Sequence, residues 1–190
     1  DAYVPQAPYG ALVVVPHGGH WTRTHGSFST QAQWLANRGY AVLEPNFRAS
    51  TGFGRNYVTA AKRDFGRGRV HEDIVEGTEY VLSRGIGDAE KLAMVGHSFG
   101  GFSTLGALAF NPEMFQVGVA TAPPAALSKA IRHYFDADDF DGSGFRRIEV
   151  MARLAVDIED PKDVERSYSR SPDYHAGNIT RPLYVWAGER

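Results

Sequence analysis

Residues 92–101 read Leu-Ala-Met-Val-Gly-His-Ser-Phe-Gly-Gly, and this stretch decides the fold. Residues 92–95 are apolar, which is typical of a short buried strand. The Ala- and Leu-rich run 102–110 predicts a tightly packed helix that ends before Asn111-Pro112. Between strand and helix lies a match to G-x-S-x-G, so the sequence predicts a sharp strand-to-helix turn with Ser98 at its apex.

Each residue type in this turn has a physical role. Gly96 and Gly100 lack a Cβ, which lets the strand and helix backbones approach each other. The strained turn projects the Ser98 hydroxyl into a cleft, at the positive end of the following helix. We expect His97 to be a packing residue whose side chain points away from the Ser98 hydroxyl. A phosphate-binding loop would require a Lys or a longer glycine spacing. We therefore predict that Ser98 is the nucleophile of a hydrolase.

A second glycine-containing stretch, His17-Gly18-Gly19-His20, follows the apolar run 11–16. Acyl transfer places negative charge on the substrate carbonyl oxygen, and fixed backbone N–H groups stabilise that charge. One such donor is the amide of Phe99, the residue after the nucleophile. We predict that the other is Gly18, with Gly19 as the alternative. A plain turn is the simpler interpretation of the same residues.

The remaining apolar runs alternate with helix-length amphipathic stretches, which predicts an α/β protein. We predict a mostly parallel sheet with helices on both faces, and the turn at Ser98 identifies it as an α/β-hydrolase fold. Because a parallel sheet rarely finishes on a bare strand, we expect the fold to be incomplete at its C-terminal end. The domain assignment is one partial catalytic domain, 1–190, with an irregular cap-like segment at about 123–180. The predicted strands are 11–16, 40–43, 92–95, 117–120 and 183–187. The predicted helices are 31–38, 73–82, 102–110 and 146–156, and 46–57 is predicted as a loop.

Composition excludes several classes of protein. The 190 residues contain no cysteine, which rules out disulfides, thiolate metal sites and a cysteine nucleophile. A net charge of −2 does not favour a nucleic-acid partner, and no apolar run is long enough to cross a membrane. His17, His20 and His25 lack the carboxylate motif that would accompany a metal centre, so we predict no metal site. Acyl transfer by Ser98 needs no organic cofactor, and we predict none. We expect a soluble protein and favour the cytoplasm, with the periplasm or secretion as alternatives.

The chain resembles the catalytic domain of the prolyl oligopeptidase family of serine peptidases, in its acylaminoacyl-peptidase and dipeptidyl-peptidase-like branch. The matching stretches are 17–19, 35–43, 45–54, 72–77, 96–100, 171–172 and 181–189. The resemblance implies cleavage of short peptides through an acyl-enzyme, with a β-propeller ahead of this domain. His20 and Ala49 depart from the branch, which usually has Pro and Gly at these positions.

The same resemblance implies that the catalytic Asp and His follow Arg190, outside the sequence, so the 190 residues alone are expected to be inactive. Within the chain, His133 and His175 are expected to be surface or packing residues. Glu189 is retained as a candidate acid, and Asp73 is expected to cap a helix. Two alternatives stay open: a carboxylesterase or lipase of the same fold, and a catalytically incomplete fragment that acts as a binding module.

Overall fold

A computed structural model describes residues 1–5, 10–136 and 154–188 of the chain. The strands are β1 Ala2–Tyr3, β2 Leu12–Val14, β3 Ala41–Leu43, β4 Leu92–His97, β5 Val117–Thr121 and β6 Leu183–Trp186. The helices are α1 Thr30–Ala36, α2 Arg55–Thr59, α3 Arg69–Ser83, α4 Phe99–Phe110, α5 Leu127–Asp136 and α6 Pro161–Ser169, with a 3₁₀ turn at Ala176–Asn178.

The strands form one sheet in the order β1-β3-β2-β4-β5-β6. All neighbouring pairs from β3 to β6 are parallel, while β1 pairs with β3 in the antiparallel direction. Strand β4 lies between β2 and β5. The loops that follow these three strands therefore meet at one edge of the sheet, where α/β proteins form their sites.

Helices cover both faces of the sheet, which confirms the predicted fold class. Leu12 and Val14 belong to a large core that includes buried residues of α3 and α4. Val13 and Val15 face the opposite side and pack in a smaller core with Leu35 of α1. This alternation follows from the two-residue period of a strand, in which successive side chains point to opposite faces.

The structure corrects several predicted elements. Segment 123–180 was predicted to be irregular, but its described parts contain α5, α6 and the 3₁₀ turn. Helix α6 begins at a recognisable signal, because the Asp160 side chain accepts the Lys162 N–H at 3.0 Å and Pro161 occupies the first turn. Most of the predicted helix 146–156 lies outside the described residues.

Two further predictions differ in their boundaries. The loop predicted at 46–57 ends early, because α2 begins at Arg55. Helix α3 begins at Arg69, four residues before the predicted start, so Asp73 lies inside the helix. The expectation that Asp73 caps a helix is therefore wrong. In the described part of the chain, no helix has the length and apolar character needed to cross a bilayer.

Candidate active site

Ser98 occupies the junction between β4 and α4. Strand β4 ends at His97 and α4 begins at Phe99, so the chain turns within one residue, whose φ is 56° and ψ is −120°. A non-glycine residue with positive φ is strained and persists only where its surroundings hold it. Here the Ser98 N–H donates to the carbonyl of Thr121 in β5 at 2.9 Å, and the Ser98 carbonyl accepts the Phe102 N–H at 3.0 Å.

The glycines beside Ser98 permit three backbones to come together. A Cβ on Gly96 would overlap backbone atoms of Gly100 and would lie 2.7 Å from the Gly101 nitrogen. A Cβ on Gly100 would overlap the carbonyl oxygen of Pro16, which follows β2. The two glycines are thus required by contact between β4, α4 and the end of β2, as the sequence pattern predicts.

The loop after β2 lies directly against this turn. A Cβ added to Gly18 would be 3.6 Å from Ser98 Cβ and 3.2 Å from the carbonyl oxygen of His97. The structure therefore brings Gly18 against Ser98, 80 residues later in the sequence, and close to the neighbouring Phe99. The Phe99 N–H belongs to the first turn of α4, whose amides have no partners within the helix.

His17 is held by polar groups on both sides of its ring. Nε2 lies 2.8 Å from the Ser50 hydroxyl, and Nδ1 lies 3.1 Å from both the Gly18 carbonyl oxygen and the Thr22 hydroxyl. The ring also stacks on Phe47, with 4.3 Å between centroids.

Burial lowers the pKa of His17, although backbone hydrogen bonding at Gly18 and Gly19 opposes the shift. The neutral imidazole is therefore favoured, and a proton on Nδ1 satisfies these partners.

The histidines considered for a metal centre do not converge. His20 is 5% exposed and makes edge contacts with the Phe65 and Phe99 rings, at 4.8 and 5.7 Å between centroids. His25 is exposed and accepts a hydrogen bond from Arg23 at 3.2 Å. Over the ranges that the structure describes, no group of three or more His, Cys, Asp or Glu side chains is placed to hold a metal ion.

The other histidines have contacts of their own. His97 is exposed and its Nδ1 lies 3.1 Å from the Thr121 hydroxyl, so the expectation of a packing role is wrong. His175 Nε2 lies 2.9 Å from the Ser169 carbonyl oxygen, and its ring meets the edge of Phe110. Glu189, the candidate acid, lies outside the described residues.

Sequence reasoning missed a charged pair behind the site. Arg48 and Asp73 form a salt bridge in which the Arg48 Nε and Nη2 atoms contact different carboxylate oxygens, at 2.7 and 2.5 Å. This pair raises the pKa of Arg48 above its ordinary value. Arg48 lies in a stretch without periodicity, so neither its partner nor that of Ser50 could be inferred from spacing. The signal available was the resemblance over 45–54, which includes both residues.

The chain is similar to known proteins over most of its length. The model of the prolyl oligopeptidase family matches residues 26–183. Dipeptidyl peptidase family member 6 of Caenorhabditis elegans is 37% identical over 188 residues, which cover 97% of this chain and 24% of that protein. Dipeptidyl aminopeptidase BIII of Pseudoxanthomonas mexicana is 34% identical over 191 residues, covering 99% and 25%. The chain thus spans about a quarter of the length of these relatives.

Solved structures show the same fold. The uncomplexed acylaminoacyl peptidase of Pyrococcus horikoshii superposes with a TM-score of 0.80 at 22% identity, over 97% of this chain and 28% of that one. A puromycin-hydrolyzing peptidase of Mycobacterium tuberculosis superposes with a TM-score of 0.77 at 25% identity, over 97% and 27%.

Proposed function

Because this chain belongs to the prolyl oligopeptidase family, we propose that it carries the nucleophile of a serine peptidase that hydrolyses short peptides. Ser98 is the proposed nucleophile. The observation that carries this proposal is the strained Ser98 backbone at the β4–α4 junction, with the Gly18 backbone beside it. Strain of this kind is maintained at functional sites, where it presents a side chain that regular structure would bury.

The proposed reaction proceeds through an acyl-enzyme. Ser98 Oγ attacks the carbonyl carbon of the scissile peptide bond while its proton passes to a histidine base. The oxygen of the tetrahedral intermediate takes the negative charge and accepts hydrogen bonds from the Gly18 and Phe99 amides. Collapse of this intermediate breaks the C–N bond, and the base returns its proton to the leaving amine. Water then hydrolyses the acyl-Ser98 ester by the same steps.

On this proposal the histidine base and the aspartate that orients it lie outside residues 1–190. The support for this placement is that the histidines next to Gly18 and Ser98 contact other side chains: His17 contacts Ser50 and His97 contacts Thr121. On this proposal residues 1–190 form part of a catalytic domain, and the described parts of the segment 123–180 border the cleft. An N-terminal β-propeller that restricts substrates to short peptides is part of the same proposal.

The test uses the full-length protein that contains this chain. A fluorophosphonate probe is expected to label Ser98, and 4-nitroanilides of short peptides are expected to be hydrolysed. Ser98→Ala is expected to abolish labelling and to lower kcat by about 10⁶-fold. Ser103→Ala is the matched control. It removes a buried hydroxyl from α4, the helix that follows Ser98, and this hydroxyl donates to the Phe99 carbonyl.

The outcomes separate the candidate functions. Unchanged hydrolysis by Ser98→Ala would refute the proposed nucleophile. Hydrolysis of aryl esters without hydrolysis of peptide anilides would replace the peptidase by an esterase. If neither labelling nor hydrolysis occurs in the full-length protein, the binding-module alternative takes its place.

A further inference from the structure

The loop between β3 and α2 holds the loop that follows β2. Hydrogen bonds join the two loops at three positions along their lengths. They connect Ser50 Oγ with His17 Nε2 at 2.8 Å, the Thr51 N–H with the Thr22 carbonyl at 3.1 Å, and Asn46 Oδ1 with the Thr24 N–H at 2.8 Å. The first of these contacts is adjacent to Gly18, so the β3–α2 loop reaches the backbone that lies against Ser98.

The β3–α2 loop is itself anchored to helix α3. Asp73 Oδ2 accepts both the Arg48 backbone N–H and the Arg48 Nε–H, each at 2.7 Å, and Oδ1 accepts Nη2 at 2.5 Å. One carboxylate thus binds the main chain and the side chain of the same residue. With side chains 25% and 19% exposed, Arg48 and Asp73 are shielded from much of the screening that weakens surface pairs.

The residues that link the Arg48–Asp73 salt bridge to Gly18 are tightly constrained. Phe47 is 1% exposed and stacks on the His17 ring. Ala49 has a φ of 85°, a conformation that a residue with a Cβ adopts only when its neighbours impose it. Ser50 is fully buried, and its hydroxyl contacts His17 Nε2. A continuous path of contacts therefore runs from Asp73 through Arg48 and Ser50 to His17 and Gly18.

We propose that Arg48, Asp73 and Ser50 are positioning residues that set the place of the Gly18 amide relative to Ser98. This inference rests on the proposed function, since it requires Gly18 to be a donor to the substrate oxygen. On this inference the three residues stabilise the transition state, through the Gly18 amide, and do not contribute to substrate binding.

The expected size of the effect follows from the geometry. A backbone donor stabilises the developing oxyanion only where it already points at that oxygen, and displacement by about 1 Å lowers the rate by up to about 100-fold. The Gly18 carbonyl also accepts a hydrogen bond from the Thr22 hydroxyl at 2.5 Å, which keeps part of the loop in place. We therefore expect kcat to fall about 10-fold when the Arg48–Asp73 salt bridge is removed.

Asp73→Asn in the full-length protein is the decisive variant. The Asn side chain has one acceptor oxygen, so it cannot bind the Arg48 amide and both guanidinium N–H groups. The matched control is Asp64→Asn, because Asp64 pairs with Arg170 at 2.6 Å, accepts the Arg69 N–H at 3.1 Å and is similarly exposed. We expect Asp73→Asn to lower kcat about 10-fold with KM changed by less than about 2-fold, while Asp64→Asn leaves kcat unchanged.

Ser50 provides a second measurement if Asp73→Asn fails to fold. Ser50→Ala removes the hydroxyl that contacts His17 and is expected to lower kcat, whereas Ser50→Thr retains a hydroxyl and is expected to recover it. The proposal is overturned if kcat is unchanged in the folded variants, or if Asp64→Asn lowers it as much as Asp73→Asn. Activity in Ser98→Ala would instead refute the proposed function, so the two failures are distinguishable.

Discussion

Replacement of Gly96 by Ala tests the physical basis of the strand–helix turn. The added Cβ would overlap the Gly100 backbone and lie 2.7 Å from the Gly101 nitrogen. An ordinary contact at 3.4 Å with the overlapped Gly100 atoms requires the first turn of α4 to move by more than about 1 Å. Because backbone atoms must move, the strain is expected to lower the free energy of unfolding by about 1–3 kcal/mol. The same shift displaces Ser98, so phosphonate labelling is expected to slow by about 10- to 100-fold.

The assay is the rate of fluorophosphonate labelling of the full-length protein, measured together with urea unfolding. Gly77→Ala is the control, because Gly77 lies inside α3 with nothing within 4 Å of an added Cβ. Alanine there is expected to stabilise the helix by about 0.5–1 kcal/mol and to leave labelling unchanged. If Gly96→Ala matches the wild type in labelling rate and in stability, the close-approach argument is refuted.

Two further predictions concern buried ionisable groups. Burial lowers the pKa of His17 and His71, so the unfolded chain binds protons that the folded one does not. The free energy of unfolding is therefore expected to fall as pH drops below about 6.5, by at most about 1.4 kcal/mol per pH unit for each histidine, and His71→Gln should make this dependence shallower. Burial opposes ionisation of Asp163, but hydrogen bonds from the Asp157 amide and Arg166 outweigh it and lower its pKa. Asp163→Asn is expected to lower the free energy of unfolding by about 2 kcal/mol, measured by urea unfolding at pH 7.

Both predictions have controls in the same protein. Parallel pH profiles for the wild type and His71→Gln would contradict the assignment to that histidine. Glu165→Gln changes an exposed carboxylate in the same helix as Asp163 and is expected to change stability by less than about 0.5 kcal/mol. Equal losses for Glu165→Gln and Asp163→Asn would show that the buried network has no special role.

The sequence was most informative where adjacent residues decide the structure. The turn at Ser98 could be predicted because an apolar run, two spaced glycines and a helix-forming run follow one another within 20 residues. Buried strands could be predicted for the same reason. Predictions of helix ends were less accurate. Helix α3 begins at Arg69 after Gly68, which has no side chain to act as a cap. The Arg69 N–H is accepted instead by Asp64, five residues earlier, so no signal stood at the helix start itself.

Contacts between distant residues could not be predicted in this way. Asp73 was expected to cap a helix, and it is the first residue of the helix predicted at 73–82. Its partner, Arg48, lies 25 residues earlier in a loop without periodicity. Ser50 and His17 are 33 residues apart, and only the pairing of β2 with β3 brings their loops together.

The sequence by itself thus determined the α/β class and the glycine-flanked position of Ser98, because both follow from backbone preferences of neighbouring residues. Only the tertiary structure decided that Gly18 lies against Ser98 and that Asp73 anchors Arg48. Each depends on the strand order β3-β2-β4, which is set by burial of both faces of the sheet and by the closure of long connections between strands.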